Sequence, residues 1–155
     1  MGEVVIYTDG AASGNPGPGG FGTLLIYGQH TKEASEGYRL TTNNRMELLA
    51  VIVGLEMLTR PCSVLVVSDS KYVVDAVEKK WVFNWEKKGF KDKKNVDLWK
   101  RFLKIHQKHQ IRFKWIKGHS GHPENERCDE LAVAASKKNQ LLVDFGYEES
   151  KKELS

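Results

Sequence analysis

The chain of 155 residues is 40% hydrophobic and 28% charged, with 14 Gly and four Pro, which fits one compact domain and excludes collagen-like and low-complexity classes. No apolar run approaches the ~20 residues of a membrane span, and at this length a domain buries roughly 70% of its extended-chain surface without needing a disulfide or structural metal. The formal charge of +4 divides unevenly: residues 71–117 carry 15 Lys/Arg against five Asp/Glu and the remainder is net negative, so one region attracts polyanions.

In chain order, Val4-Val5-Ile6-Tyr7 is a short apolar run, as in a strand covered on both faces. Phe21 to Tyr27 and Glu33 to Leu40 flank a turn at Gly28-Gln29-His30 and form a hairpin. Between the first two strands, Ser13-Gly14-Asn15-Pro16-Gly17-Pro18-Gly19-Gly20 reads as a loop whose Gly and Pro fix the backbone path and admit a ligand closely. A largely buried helix runs from about Asn44 to Leu58, and Ser63 to Ser68 is a central strand. A helix from about Ser70, a basic and aromatic segment to Lys94, and a helix from about Val96 to Lys108 follow. Ile111, Phe113 and Trp115 alternate with Arg112 and Lys114 as a half-covered strand. Gly118 to Pro123 is a loop, and Glu124 opens a helix to about Lys138. The order βββ-α-β-α-α-β-α predicts an α/β fold: an antiparallel meander joined to parallel units, hence a mixed five-stranded sheet with helices on both faces. Residues 1–140 form the single domain and 141–155 a C-terminal tail, partly disordered from Glu148 onward.

Four acids occupy informative places: Asp9 at the end of the first strand, Glu47 in the first turn of the first helix, Asp69 after the fourth strand, and Asp129 opening the last helix. Ligands of open α/β sheets bind beyond the carboxyl ends of the strands, where Asp9 and Asp69 lie side by side if their strands are neighbours. Clustered carboxylates repel and raise one another's pKa, which a cation relieves, and an oxygen-only set favours Mg²⁺ or Mn²⁺ over zinc. Each acid also has a plain structural reading: a turn at Asp9-Gly10, a capping box from Asn44 to Glu47, a cap at Asp69, and dipole complementation at Asp129. Together those readings need four coincidences.

Tyr7-Thr8-Asp9-Gly10, the following Gly14 to Gly20 run, Thr41-Thr42-Asn43-Asn44-Arg45-Met46-Glu47-Leu48, Ser68-Asp69-Ser70, Asn95-Val96-Asp97-Leu98-Trp99 and Lys117 through Ala132 resemble, in order, bacterial ribonuclease HI, the type 1 ribonucleases H. The resemblance spans about residues 3–135. It implies the ribonuclease H-like sheet and endonucleolytic cleavage of the RNA strand of RNA·DNA hybrids, leaving 5′-phosphate and 3′-hydroxyl ends. It implies Asp9, Glu47, Asp69 and Asp129 as ligands of two Mg²⁺ ions, with Mn²⁺ able to substitute and Asp9 bridging both. Two metals about 4 Å apart suit in-line displacement at a phosphodiester. His119 matches the family's catalytic-loop histidine, and the flanking Gly118 and Gly121 give it mobility. Without the motif, an exposed loop histidine with no role is the plainer reading. His122, before Pro123, is structural.

Residues 79–94 hold seven Lys and four aromatics, and the resemblance makes this segment the basic handle that grips the DNA strand. Trp81, Lys87 and Lys88 are its expected contacts, Trp85 faces the core, and the stretch between Phe90 and Asn95 is short for the family. Asn15, Asn43 and Asn44 match substrate-contacting asparagines and Thr42 a DNA-phosphate contact, with amides suited to base edges and the RNA 2′-hydroxyl. Ser13 and Lys71 depart from common relatives; Lys71 stands where a Gln contacts the hybrid and would reach a phosphate instead. Cys62 and Cys128 lack metal spacing and read as reduced thiols of a cytoplasmic monomer, and no basic, apolar leader opens the chain. A single-strand-binding protein is a further conceivable partner, with no residue to argue it from. A hybrid-binding module without catalysis, a related nuclease or strand-transfer enzyme, and a metal-dependent phosphatase are the alternatives. The complete carboxylate set argues against the first, the asparagines and basic segment against the others.

Overall fold

The computed structural model describes residues 2–153. Strands β1 (Val4–Ala12), β2 (Gly17–Tyr27), β3 (His30–Thr41), β4 (Ser63–Ser68) and β5 (Gln110–Trp115) form one sheet in the order β3-β2-β1-β4-β5. β1–β2 and β2–β3 pair antiparallel, whereas β1–β4 and β4–β5 pair parallel. The helices are α1 (Asn43–Glu56), α2 (Lys71–Glu78), α3 (Trp81–Lys87), α4 (Val96–His106), α5 (Pro123–Ser136) and α6 (Phe145–Glu153). The mixed five-stranded sheet is thus the one the element order predicts.

Alternation along β1 assigns the faces. Val4, Ile6 and Thr8 are buried beneath α1, where the missing side chain of Gly54 lets the helix rest on Ile6 and Thr23. The buried Thr23 hydroxyl donates to the Ala50 carbonyl at 2.7 Å. The main core fills this side, from Ile6, Leu48, Ile52 and Val66 to Trp99 and Phe102 of α4. α5 covers the opposite face and runs so close that a Cβ on Gly20, Gly22 or Gly37 would overlap its backbone.

The strands are longer than their apolar runs. β1 extends through Asp9 to Ala12 and β2 begins at Gly17, because Gly10 pairs with Phe21 and Ala12 with Gly19. Half of the Gly/Pro-rich stretch, Gly17 to Gly20, is therefore ladder, and Asp9 lies within a strand rather than at its end. Thr42, not Asn44, caps α1: its hydroxyl accepts from the Arg45 amide at 3.2 Å. Ser70, not Asp69, caps α2. Asp129 stands in the second turn of α5 rather than at its opening.

Two helices lie outside the predicted set. α3 is seven residues long, starts from the left-handed Lys80 (φ 65°) and is held by the buried Val82 and by Trp85 edge-on against Trp99. The tail expected to be disordered from Glu148 forms α6 instead, as far as the described residues run. Asp144 caps it by accepting from the Tyr147 amide, and Arg39 grips Glu148 through two bonds of 2.9 Å. A helix with so little apolar surface leaves no periodic signal.

Candidate active site

Asp9 projects from β1 beside Gly10, and Asp69 follows the last residue of β4, which is paired with Thr8. Parallel pairing of β1 and β4 therefore sets the two carboxylates next to each other. Glu47 arrives from α1 because Gly10 has no side chain: a Cβ there would lie 2.4 Å from the Met46 carbonyl carbon. The Gly10 amide donates to Glu47 Oε1 at 2.5 Å and to Asp9 Oδ1 at 2.9 Å. Ligand oxygens of Asp9, Glu47 and Asp69 all lie within 4.8 Å of one another.

The electrostatics fit a cation. Asp9 and Glu47 are each 7% exposed, and Glu47 Oε2 is buried with no hydrogen-bond partner. Burial pushes the Asp9 carboxyl up to about 7, with Asp69 and Asp129 adding repulsion against the hydrogen bonds from Glu47 and Gly10. Glu47 is raised well above the ordinary carboxylate range, first by burial, then by its bond to Asp9 and the charge of Asp69. Three oxygen donors, one of them orphaned in a buried pocket, match the hard-cation preference of Mg²⁺ or Mn²⁺.

Asp129 lies outside this triad, half-buried on α5, but near enough for its charge to act on Asp9. His119 is exposed, in a left-handed conformation (φ 55°), one residue after Gly118. A Cβ on Gly118 would lie 2.7 Å from Asp69 Oδ2, so this glycine lets the loop pass directly over the carboxylate. His122 is the residue from which α5 starts, with Pro123 in the first helical position.

Seven of the eight expected substrate residues form two groups. In one, Asn15 Oδ1 accepts from the Asn43 amide at 3.0 Å, and Asn43 Oδ1 from the Ala12 amide at 2.5 Å, locking the β1–β2 turn onto the start of α1. Thr42 is the cap there and Asn44 is exposed beside it. In the other, Trp81 is 43% exposed with Lys79 Nζ 5.3 Å from its ring centroid, and Lys87 and Lys88 are exposed at the end of α3. Trp85 is half-buried and packs on the core as expected. The short stretch after Phe90 turns through left-handed Phe90, Asp92 and Asn95, with Phe90 buried.

Lys71, exposed at the start of α2, has its Nζ 4.8 Å from the Trp115 ring centroid. Sequence reasoning assigned Trp115 only to a half-covered strand and missed Gly10 and Gly118 as the residues that let the site close. The parallel register that pairs Ser68 with Trp115 is the signal that links them, and it exists only once the sheet order is known.

The family profile described as RNase H matches residues 1–137. The chain is 56% identical over 147 residues to a ribonuclease H of Desulforamulus reducens, covering 92% of each chain. It is 53% identical over 148 residues to a ribonuclease HI of Shewanella oneidensis, covering 92% of this chain and 93% of that one. Among solved structures, LC9-RNase H1, a type 1 RNase H with the type 2 active-site motif, superposes with a TM-score of 0.77 at 31% identity, covering 97% of this chain and 82% of that one. LC11-RNase H1, solved in complex with an RNA/DNA hybrid, gives a TM-score of 0.66 at 28% identity, covering 99% and 100%. With a family profile matched over residues 1–137 and relatives more than half identical across about nine-tenths of its length, the chain belongs to the ribonuclease H family.

Proposed function

We propose that the chain is an endoribonuclease that hydrolyses the RNA strand of RNA·DNA hybrids, leaving 5′-phosphate and 3′-hydroxyl ends. The observation that carries this is the oxygen-only triad of Asp9, Glu47 and Asp69, in which Glu47 Oε2 is buried without a hydrogen-bond partner. Two divalent ions, Mg²⁺ with Mn²⁺ as substitute, would supply Lewis acidity for in-line phosphodiester displacement. Asp9, Glu47 and Asp69 would hold them, with Asp129 adding a fourth carboxylate from α5. His119, on an exposed loop next to Asp69, carries a proton to or from the solvent side.

Asn15, Thr42, Asn43 and Asn44 hold the hybrid where the β1–β2 turn meets α1, their amides suiting the RNA 2′-hydroxyl. Trp81, Lys87 and Lys88 hold the other strand through stacking and phosphate contacts, and Lys71 meets a phosphate beside the carboxylates. The unpaired Cys62 and Cys128 support a reducing, cytoplasmic setting, where the chain acts as a monomer.

The test is one end-labelled RNA strand, presented alone, as RNA·RNA and as RNA·DNA, with Mg²⁺ or EDTA. Internal cuts in the hybrid alone, dependent on Mg²⁺ and abolished by Asp9→Asn, are expected. Tight hybrid binding without cleavage in any divalent metal would make the chain a binding module. His119→Ala should slow turnover by about 10²-fold, far less than Asp9→Asn; equal losses would give His119 a different role.

A further inference from the structure

Asp69 stands at a gap in the backbone hydrogen bonding. The last bond of the β4–β5 edge runs from the Ile116 amide to the Ser68 carbonyl at 3.0 Å, and the first of α2 from the Val74 amide to the Ser70 carbonyl at 3.1 Å. The Asp69 carbonyl between them accepts from the Trp115 indole Nε1–H at 3.1 Å. Trp115 is nonetheless 42% exposed, so packing is not what its ring chiefly provides. Its face carries the Lys71 ammonium at 4.8 Å from the centroid, and among the described residues no carboxylate forms an ion pair with Lys71. One indole therefore touches the backbone of a metal-site carboxylate with its edge and the neighbouring cation with its face.

We propose that Trp115 is a positioning residue: its N–H fixes the Asp69 peptide and its ring seats Lys71, so that the ammonium stands ready for a substrate phosphate beside the carboxylates. This inference rests on the hybrid-cleaving reading above. An unseated lysine on a helix start samples many rotamers; a ring face restricts it without neutralising its charge, as a carboxylate partner would. The two halves of the role separate by chemistry. Trp115→Phe keeps a face and loses the N–H, Trp115→Leu loses both, and Lys71→Met removes the cation alone.

The experiment measures kcat and KM on hybrid, the Mg²⁺ dependence of turnover, and hybrid binding in EDTA across a salt series. Trp115→Phe is expected to lower kcat by about three- to tenfold and raise the Mg²⁺ needed, with KM little changed. Lys71→Met and Trp115→Leu should each raise KM by about two- to fivefold and weaken the salt dependence of binding, with the slope falling by about one for Lys71→Met. The double variant should show no further KM rise beyond Lys71→Met, because the seat has no purpose without its occupant. In the unsubstituted chain, ring current should hold the Lys71 ε-methylene protons upfield of those of Lys87 and Lys88, a readout that needs no variant to fold. Ordinary shifts at Lys71, multiplying KM effects in the double variant, or a Trp115→Phe variant with unchanged kcat and Mg²⁺ dependence overturn the proposal while the parent chain still cleaves hybrid. A parent chain that neither binds nor cleaves hybrid overturns the function reading itself, and this one with it.

Discussion

Asp9 and Glu47 share the Gly10 amide, and burial holds both protonated beyond the ordinary carboxylate range. A carboxyl whose folded pKa exceeds its unfolded one favours folding most below the unfolded value, near pH 4, and that contribution is lost as pH rises through about 7 for Asp9. Without divalent cation the protein should therefore lose stability between about pH 4 and 8, by on the order of 2–4 kcal/mol from Asp9. Asp9→Asn removes that burden and should melt above the parent at pH 8 in EDTA, and Mg²⁺ should raise the parent's melting temperature and not the variant's. Calorimetry decides it: a variant melting at or below the parent at pH 8 contradicts the account. The closeness of Asp9, Glu47 and Asp69 was legible from their motifs, although Asp9 stands inside β1 and Asp129 outside the triad, whereas the cap was not. Thr42 and Asn44 are both good capping residues, and only the backbone shows that Thr42 has the extended conformation a cap requires.

The spacing of α5 from the sheet depends on Gly20, Gly22 and Gly37. A Cβ on Gly22 would stand 2.2 Å from the Cys128 carbonyl oxygen, one residue before Asp129. Gly22→Ala should push the helix outward, costing about 1–3 kcal/mol as overpacking does, and withdraw Asp129 from Asp9. Chemical denaturation reads the first effect. A rise in the Mg²⁺ required for cleavage reads the second; unchanged values in both would show that the helix has slack. In the sequence only Gly20 falls in the stretch read as a ligand-approach loop, with Gly22 and Gly37 in the predicted hairpin strands, and the close approach at all three is by the protein's own helix. α3 escaped prediction because seven residues, aromatic and led by a left-handed lysine, show no helical period; its stability comes from Val82 and Trp85 meeting the core.

Across the molecule, the basic stretch and the acidic remainder fold into one body clamped at Arg45. Its guanidinium, 3% exposed, donates to Asp144 at 2.8 and 2.9 Å and to Asp97 at 2.8 and 2.7 Å. The Thr41 hydroxyl also donates to Asp144 at 2.7 Å. This joins the start of α1, which carries Glu47, to the start of α4 and to the residue that caps α6. Removing one partner of a buried pair costs about 3–5 kcal/mol, so Asp144→Ala should lower the melting temperature by roughly 6–20 °C at this chain length. A shift under about 2 °C would mean that Asp97 alone suffices. No sequence pattern announces the clamp: its three charges are 47 and 52 residues apart in the chain, and Asp144 lies in a segment whose composition reads as loose. The fold class was legible because period-2 and apolar runs alternate in the right order, and the tail was not because its order depends on long-range ion pairs.

The tail's attachment also closes a boundary of the sheet. Leu142 lies alongside Tyr38, its carbonyl accepting from the Arg39 amide and its amide donating to the Gly37 carbonyl, each at 2.9 Å. That stretch of the outer strand β3 has no free backbone groups left to recruit a strand from another molecule. Farther along β3, Lys32, Glu33 and Glu36 put charge on the rim, and at the other edge β5 carries Arg112 and Lys114. Strand-to-strand polymerisation is thus opposed at both margins, so a chain concentrated along a polyanion by its lysines can crowd there without seeding fibrils of itself.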